Sequence, residues 1–362
     1  MTIREVARAA GVSVATVSRV VNATGPVKDA TRRRVEDEIA RLSYAPNAAA
    51  RSLITNRTST IGVVLPDLWG EYFSEVIRGI DFSARQAGYH VLVSSSHSDA
   101  AETRDVLRAM HGRVDGVVVM TPNVPPRDLR AHLPQGLPAV FLNASPAAGA
   151  GHPAVAVDNR GAARAMVAHL LALGHRRIAL VNGPASNSDA AERRRGCGDA
   201  LRGAGIPADA VVELAGDFNE ESGVVAGETI ARLSPRPTAV FAANDSMAIG
   251  VLLALRRAGV RVPGEVGVAG FDDIPVARFA SPPLSTVRHD LRNLGERALA
   301  RLLAEISGEG PSHVAREVLP FRLVLRESTG GDGAAAKRGP PQAASVSKQL
   351  PNGSFVQRRK AS

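Results

Sequence analysis

Val14, Ala15, Ser18, Arg19 and Asn22 recur at spacings that gather them on one face of a helix, while Val17, Val20 and Val21 fall on the other. The chemistry such a face supports is recognition. Arg19 can donate both arms of its guanidinium to the two acceptors on a guanine edge, and Val14 and Ala15 can meet thymine methyls. Thr16, Ser18 and Asn22 suit phosphates or mixed contacts. The end of a plain three-helix bundle is the competing explanation. A core helix, however, does not normally present Arg19 and Asn22, nor a solvated one Val14 and Ala15.

Catalysis has little to work with. Asp272 and Asp273 are adjacent, whereas a glycosidase pair must flank one bond. No glycine-rich phosphate loop, nucleophile elbow or metal-spaced His/Cys cluster occurs. Cys197 is the only cysteine, which excludes an internal disulfide framework and a cysteine zinc site and points to a reducing compartment. The chain is expected to be no enzyme and to need no cofactor or metal. Its N-terminus lacks the apolar core of a signal peptide, and no run of about 18 apolar residues occurs, so a soluble cytoplasmic protein, associated with the nucleoid and not with a membrane, is expected.

The elements that must carry the recognition face are short. Thr2-Ile3-Arg4-Glu5 has the form of a capping box, so a helix starts there and runs through Ala10 to Gly11. Ser13 caps a second helix from Val14 to about Asn22. Gly25-Pro26 breaks the chain, and Asp29 or Thr31 opens a third helix with Val35, Ile39 and Leu42 on one stripe. This is a helix-turn-helix arrangement. Charge agrees: residues 1–60 carry ten Lys/Arg against five Asp/Glu, and residues 330–362 carry six Lys/Arg against Asp332 alone. With a formal net charge of +9 for the whole chain, the body between is close to neutral. Basicity confined to the ends fits phosphate contact by one module and another task in the body.

From Ile61 onward, apolar runs alternate with amphipathic helices. Residues 61–65, 90–93, 116–120 and 139–142 read as buried parallel strands, and 177–181, 239–242 and 266–271 form a second series. Alternation of this kind implies a doubly wound α/β architecture in two lobes. Ligands in such folds meet the carboxyl ends of strands, which points to Asp67, Trp69, Tyr72 and Phe73 after the first strand and to Asp158 and Asn159 after a later one. Phe73 is as much a core candidate as a contact, and Asp158 stands equally between two roles.

The segment Val12-Ser13-Val14-Ala15-Thr16-Val17-Ser18-Arg19-Val20-Val21-Asn22 closely resembles the headpiece of the Lac repressor family, and Tyr44-Ala45-Pro46-Asn47-Ala48-Ala49-Ala50-Arg51-Ser52-Leu53 resembles its hinge. Landmarks in the body match too, among them Ala243-Asn244-Asp245, Gly270-Phe271-Asp272-Asp273 and Leu325-Arg326-Glu327-Ser328-Thr329. The likeness covers residues 2–329. It implies an all-α helix-turn-helix headpiece (1–46), a hinge helix and linker (47–60) and a two-lobed sensor similar to periplasmic sugar-binding proteins, which also dimerises (61–329). It implies operator contacts from Thr2, Ser13, Val14, Ala15, Thr16, Ser18, Arg19, Asn22, Tyr44, Asn47, Ala50 and Leu53, with Leu53 wedged between base steps in the minor groove. Asn47 can cap the hinge helix, which is too short to be stable alone.

In the sensor, the resemblance makes Arg193 the effector-binding arginine, Asn244 and Asp272 cleft residues, and His289 a polar ligand-facing position. Asp/Asn/Arg groups fork onto adjacent hydroxyls and Trp69 can stack on a sugar ring. Asn187, where some nucleobase-sensing relatives carry arginine, favours a sugar over a purine. The expected protein is a homodimeric regulator, a repressor of carbohydrate-utilisation genes released or recruited by a small molecule. A nucleobase- or sugar-phosphate-responsive regulator, an activator and a plain sugar-binding protein are the alternatives. Asp273 is expected to cap a helix. Residues 330–362, rich in Gly, Ala, Pro and Ser without a leucine heptad, are expected to be a disordered basic tail.

Overall fold

The computed structural model describes residues 1–22, 24–44, 57–124, 126–143, 152–310 and 316–330. The hinge positions Asn47, Ala50 and Leu53 and the segment 331–362 lie outside the described residues.

The three N-terminal helices are α1 (Ile3–Ala9), α2 (Val14–Val21) and α3 (Asp29–Arg41). α1 starts on a complete capping box: the Glu5 N–H donates to the Thr2 hydroxyl and the Thr2 N–H to the Glu5 carboxylate. Gly11 turns the chain at φ +61°, a conformation open to glycine without steric cost. Ser13 caps α2 by accepting from the Thr16 N–H at 3.2 Å. Val6, Val17 and Val35, one from each helix, are fully buried, and Ile39, Leu42 and Tyr44 pack around them.

The first lobe is built on β1 (Thr60–Leu65), β2 (His90–Ser95), β3 (Gly116–Val119), β4 (Ala139–Leu142), β5 (Ala154–Val157) and β11 (Arg316–Leu319), parallel throughout in the order β2-β1-β3-β4-β5-β11. α4 (Glu71–Gln86) and α11 (Leu291–Ser307) cover one face; α5 (Ala100–Met110) and α6 (Pro126–His132) cover the other. The second lobe has β6 (Ile178–Asn182), β7 (Val211–Ala215), β8 (Ala239–Ala242) and β9 (Gly267–Ala269), parallel in the order β7-β6-β8-β9. α7 (Asn159–Ala172) and α8 (Ser188–Gly203) lie on one face, α9 (Glu220–Arg232) and α10 (Asp245–Arg257) on the other. An antiparallel pair, β10 (Thr286–Arg288) and β12 (Arg322–Val324), flanks this sheet.

The seven expected strands are all present, and β4 and β8 have the expected bounds. β5, β7 and β10 to β12 carry weaker signals because they are short or, like β7, lie half-exposed at a sheet edge. The chain passes between lobes three times: after β5, after β10 and after β11.

Helix pairs in both lobes close on glycine. A Cβ on Gly79 of α4 would stand 2.0 Å from the Arg292 carbonyl oxygen, and one on Gly295 of α11 would stand 2.2 Å from that of Val76. Gly223 of α9 and Gly250 of α10 press as closely on each other's helix. Backbones in contact at these points hold the helices, and with them the strand ends, in fixed register.

Candidate functional site

On α2 the expected division of faces is present. Val17 and Val20 are buried, while Val14 is 41% exposed and Ala15 and Arg19 are also exposed. Arg19 makes no salt bridge, so its guanidinium stands open to a partner among the described residues. The smaller polar groups brace one another: the Ser13 and Thr16 hydroxyls lie 2.9 Å apart, and the Asn22 amide donates to the Ser18 hydroxyl at 3.2 Å. Thr2 is exposed at the start of α1 with its hydroxyl in the cap, and Tyr44 packs on the headpiece core.

Between the lobes, the carboxyl ends of β1, β3, β6, β7 and β8 and the turn after β9 surround a cavity of about 180 Å³. Asp67, Trp69, Tyr72 and Phe73 line it from the first lobe; Arg193, Asn244 and Asp272 line it from the second. Six of these seven expected residues have polar or stacking capacity turned to one space. Phe73 lines the cavity and also packs on the core. Trp69 is 73% exposed at the rim.

Arg193 organises the floor. Its Nε donates to Asn159 Oδ1 at 2.8 Å, one terminal nitrogen to the Ala243 carbonyl at 2.5 Å and the other to Asp272 at 3.2 Å. Its guanidinium lies 3.8 Å from the Phe271 ring centre. Asp272 takes φ +109°, a strained backbone for a residue with a side chain. Burial pushes its carboxyl up to about 6, against the pull of Arg193. Burial also raises Asp189 and Asp245, and it raises the Tyr72 phenol with help from the charges of Asp272 and Asp189.

Asn143, Asp189 and Asp245 belong to the site and escaped sequence reasoning. The Asn143 amide donates to Tyr72 Oη and to Asp189, both at 3.1 Å, and so ties the lobes together. The Asn159 amide donates to the other oxygen of Asp189 at 3.0 Å. Asp245 accepts from the Ile274 N–H and the Thr286 hydroxyl. Signals existed for all three: Asn143 directly follows β4, Asp189 lies one helical turn before Arg193, and Asp245 ends the Ala243-Asn244-Asp245 landmark. Two further bonds span the lobes, Ser188 N–H to the Pro122 carbonyl at 3.0 Å and Val276 N–H to Glu71 at 2.8 Å.

Two expected cleft residues are elsewhere. Asp158 is exposed and caps α7, accepting from the Gly161 N–H at 2.8 Å; it does not line the cavity. His289 is 3% exposed between Phe271 and Phe321, on the wall of a different cavity. Both sit where the chain passes from one lobe to the other, and neither side chain lines the cavity. Asp273 is no helix cap: it accepts from Arg288 and Arg326, away from the Arg193 partner of Asp272. The two adjacent acids diverge as expected, so they do not face one bond as a pair.

A three-helix module with a free arginine on its outer face, followed by two α/β lobes around a polar cleft, defines a ligand-responsive DNA-binding regulator. Comparison with known proteins places it further. Residues 2–47 match the family model described as bacterial regulatory proteins, lacI family, and residues 167–329 match the periplasmic binding protein-like domain. The HTH-type transcriptional repressor PurR of Vibrio atlanticus is 36% identical over 308 residues, 84% of this chain and 92% of the relative. The crystal structure of the Lac repressor dimer bound to operator and the anti-inducer ONPF superposes with a TM-score of 0.82 at 33% identity, covering 91% of this chain and 99% of that one. The complex of the transcriptional regulator CelR with cellobiose gives 0.67 at 32% identity, with the same coverage. The chain belongs to the lacI family of bacterial regulatory proteins. It is a DNA-binding transcriptional regulator governed by a small-molecule effector. Among the described residues no helix is long and apolar enough to cross a membrane, and no cluster of His, Cys, Asp and Glu is arranged to hold a metal ion.

Proposed function

We propose that the protein is a homodimeric repressor whose effector is a small, uncharged sugar. The observation that carries the effector class is the charge of the cleft. Seven acidic side chains, Asp67, Glu71, Asp189, Asp217, Glu220, Asp245 and Asp272, line it, three of them (Asp189, Asp245 and Asp272) pushed up by burial, against Arg193, the single cation among its described lining residues, each of whose three nitrogens already donates one hydrogen bond. Such a wall repels a sugar phosphate and accepts hydroxyl donors. Trp69 offers a face for an apolar ring surface, and Tyr72 Oη, which accepts from Asn143, keeps its own proton to give. The saccharide in the CelR complex supports the same class.

On DNA, two copies of α2 enter successive major grooves of a pseudo-palindromic operator, with Arg19 on a guanine edge and Ser13, Val14, Ala15, Thr16, Ser18 and Asn22 beside it. Residues 1–46 form the headpiece and 47–60 the hinge, where Asn47, Ala50 and Leu53 act; 61–329 form the sensor and 330–362 a basic tail. Effector in the cleft changes the angle between lobes and so the spacing of the two hinges. The setting is the cytoplasm, at the nucleoid.

A genomic-fragment pull-down with the full chain, repeated with neutral sugars, sugar phosphates and nucleobases, tests this. Enrichment of one palindromic site, abolished by one neutral sugar, is the expected result. A response confined to a phosphorylated sugar or a nucleobase overturns the effector class, and failure to enrich any site overturns the operator assignment.

A further inference from the structure

Behind Ile274, which lines both spaces, a second cavity of about 320 Å³ opens at the junction of the lobes. Its wall carries five arginines: Arg278, Arg288, Arg292, Arg322 and Arg326. Arg278, Arg292 and Arg322 are exposed, and Arg288 and Arg326 are half-buried. The register of β10 and β12 sets Arg288 directly opposite Arg322, and like charges in that position destabilise a sheet. The single carboxylate of Asp273 serves both Arg288 and Arg326. Arg292 is held by Glu296 on its own helix. Arg278 lies over the Phe279 ring at 4.7 Å, and neither it nor Arg322 has a carboxylate partner among the described residues. The remaining acids of the wall are engaged elsewhere: Glu75 accepts from Arg78, and Asp290 caps α11. His289 belongs to the same wall, and neither of its ring nitrogens has a hydrogen-bond partner among the described residues.

We propose that this cavity is a second ligand site, which binds a phosphorylated small molecule through its phosphate. Guanidinium forks match phosphate oxygens two by two, and the cavity is roomier than a bare phosphate requires. A dianion between Arg288 and Arg322 removes the repulsion that the sheet register builds in. The wall draws on both lobes, since Arg292 stands on α11 of the first while Arg278, Arg288 and Arg322 stand on the second. A ligand there favours one angle between lobes over another, and so it biases the operator-binding equilibrium independently of the cleft. The site does not depend on what the cleft binds.

The test is calorimetry on the full chain at constant ionic strength, with glycerol 3-phosphate and inorganic phosphate as probes, alongside NMR of the histidine rings with His289 assigned by His289→Gln. The expected result is saturable glycerol 3-phosphate binding that shifts the His289 signal. Affinity should fall at least tenfold in Arg278→Gln/Arg322→Gln and stay unchanged in the control Arg256→Gln/Arg257→Gln. Equal loss in the control, or binding that leaves His289 unmoved, would show a general attraction to basic surface, the headpiece included, and overturn the site. Inorganic phosphate binding as tightly as glycerol 3-phosphate would overturn the assignment to an organic phosphate.

Discussion

Arg193 holds the floor of the cleft together, and in the proposed function it also meets the effector. Its three donors reach Asn159, Ala243 and Asp272, so Arg193→Met leaves the Asp272 carboxylate buried without its cation. Breaking a buried pair in this way costs about 3–5 kcal/mol. Asp272, already pushed up to about 6, takes up a proton when the medium is acid. The variant is therefore expected to lose more unfolding free energy at pH 8 than at pH 5, measured by urea denaturation, and to ignore effector at both. His289 works in the opposite sense. Burial first, and the charge of Arg193 second, push its ring down to about 3 from an ordinary 6.5. The folded form thus binds fewer protons than the unfolded form between those values, and stability is lost as pH falls from about 6.5 toward 3, by up to about 1.4 kcal/mol per unit. In His289→Phe that loss is expected to vanish, leaving a shallower acid limb in the urea midpoints. An unchanged limb would mean that another group carries it. The places of Arg193 and Asp272 in the cleft were legible through the family resemblance. Asp158 and His289 were misplaced because nothing local marks where a chain changes lobes.

At the scale of elements, α2 and the helix crossings make the sharpest claims. Arg19 has no ion-pair partner among the described residues and lies on the exposed face of α2, so Arg19→Ala is expected to leave the headpiece folded. It should cost about 1–3 kcal/mol on the specific operator and flatten preference at one base pair, as a mobility-shift series on single-base operator variants will show. Gly79→Ala tests the α4–α11 crossing. Its Cβ would meet the Arg292 carbonyl at 2.0 Å, and backbone cannot step aside as a side-chain tip can. A loss of more than about 3 kcal/mol is expected, at the upper end for overpacking, read from thermal unfolding at fixed protein concentration. The caps, Ser13 above all, and the buried strands β1, β4 and β8 were legible because local chemistry determines them. The four glycines of the crossings were not, since a glycine inside a helix says nothing about what approaches it. β11 and β12 were equally silent, at four and three residues.

For the whole molecule, the proposed function makes effector and operator draw on one equilibrium between lobe arrangements. The coupling is expected at about 1–3 kcal/mol and must be reciprocal. Saturating operator should change effector affinity by the same factor as effector changes operator affinity, whichever the sign. Paired titrations that disagree would show that the two ligands act on different equilibria. The two-lobe plan was legible from strand–helix alternation, but the threefold passage between lobes was not, because periodicity carries no information on which sheet a strand joins. That passage bears on how the protein is made. The first sheet receives its sixth strand from residues 316–319, and α4 meets its helical neighbour only from residue 291 onward. While the ribosome is still producing the second lobe, the outer edge of β5 and the apolar flank of α4 stand bare. The nascent amino-terminal half is then a template for strand addition by other chains, and a message broken within the second lobe yields a product for chaperones and proteases to handle, not a smaller working sensor.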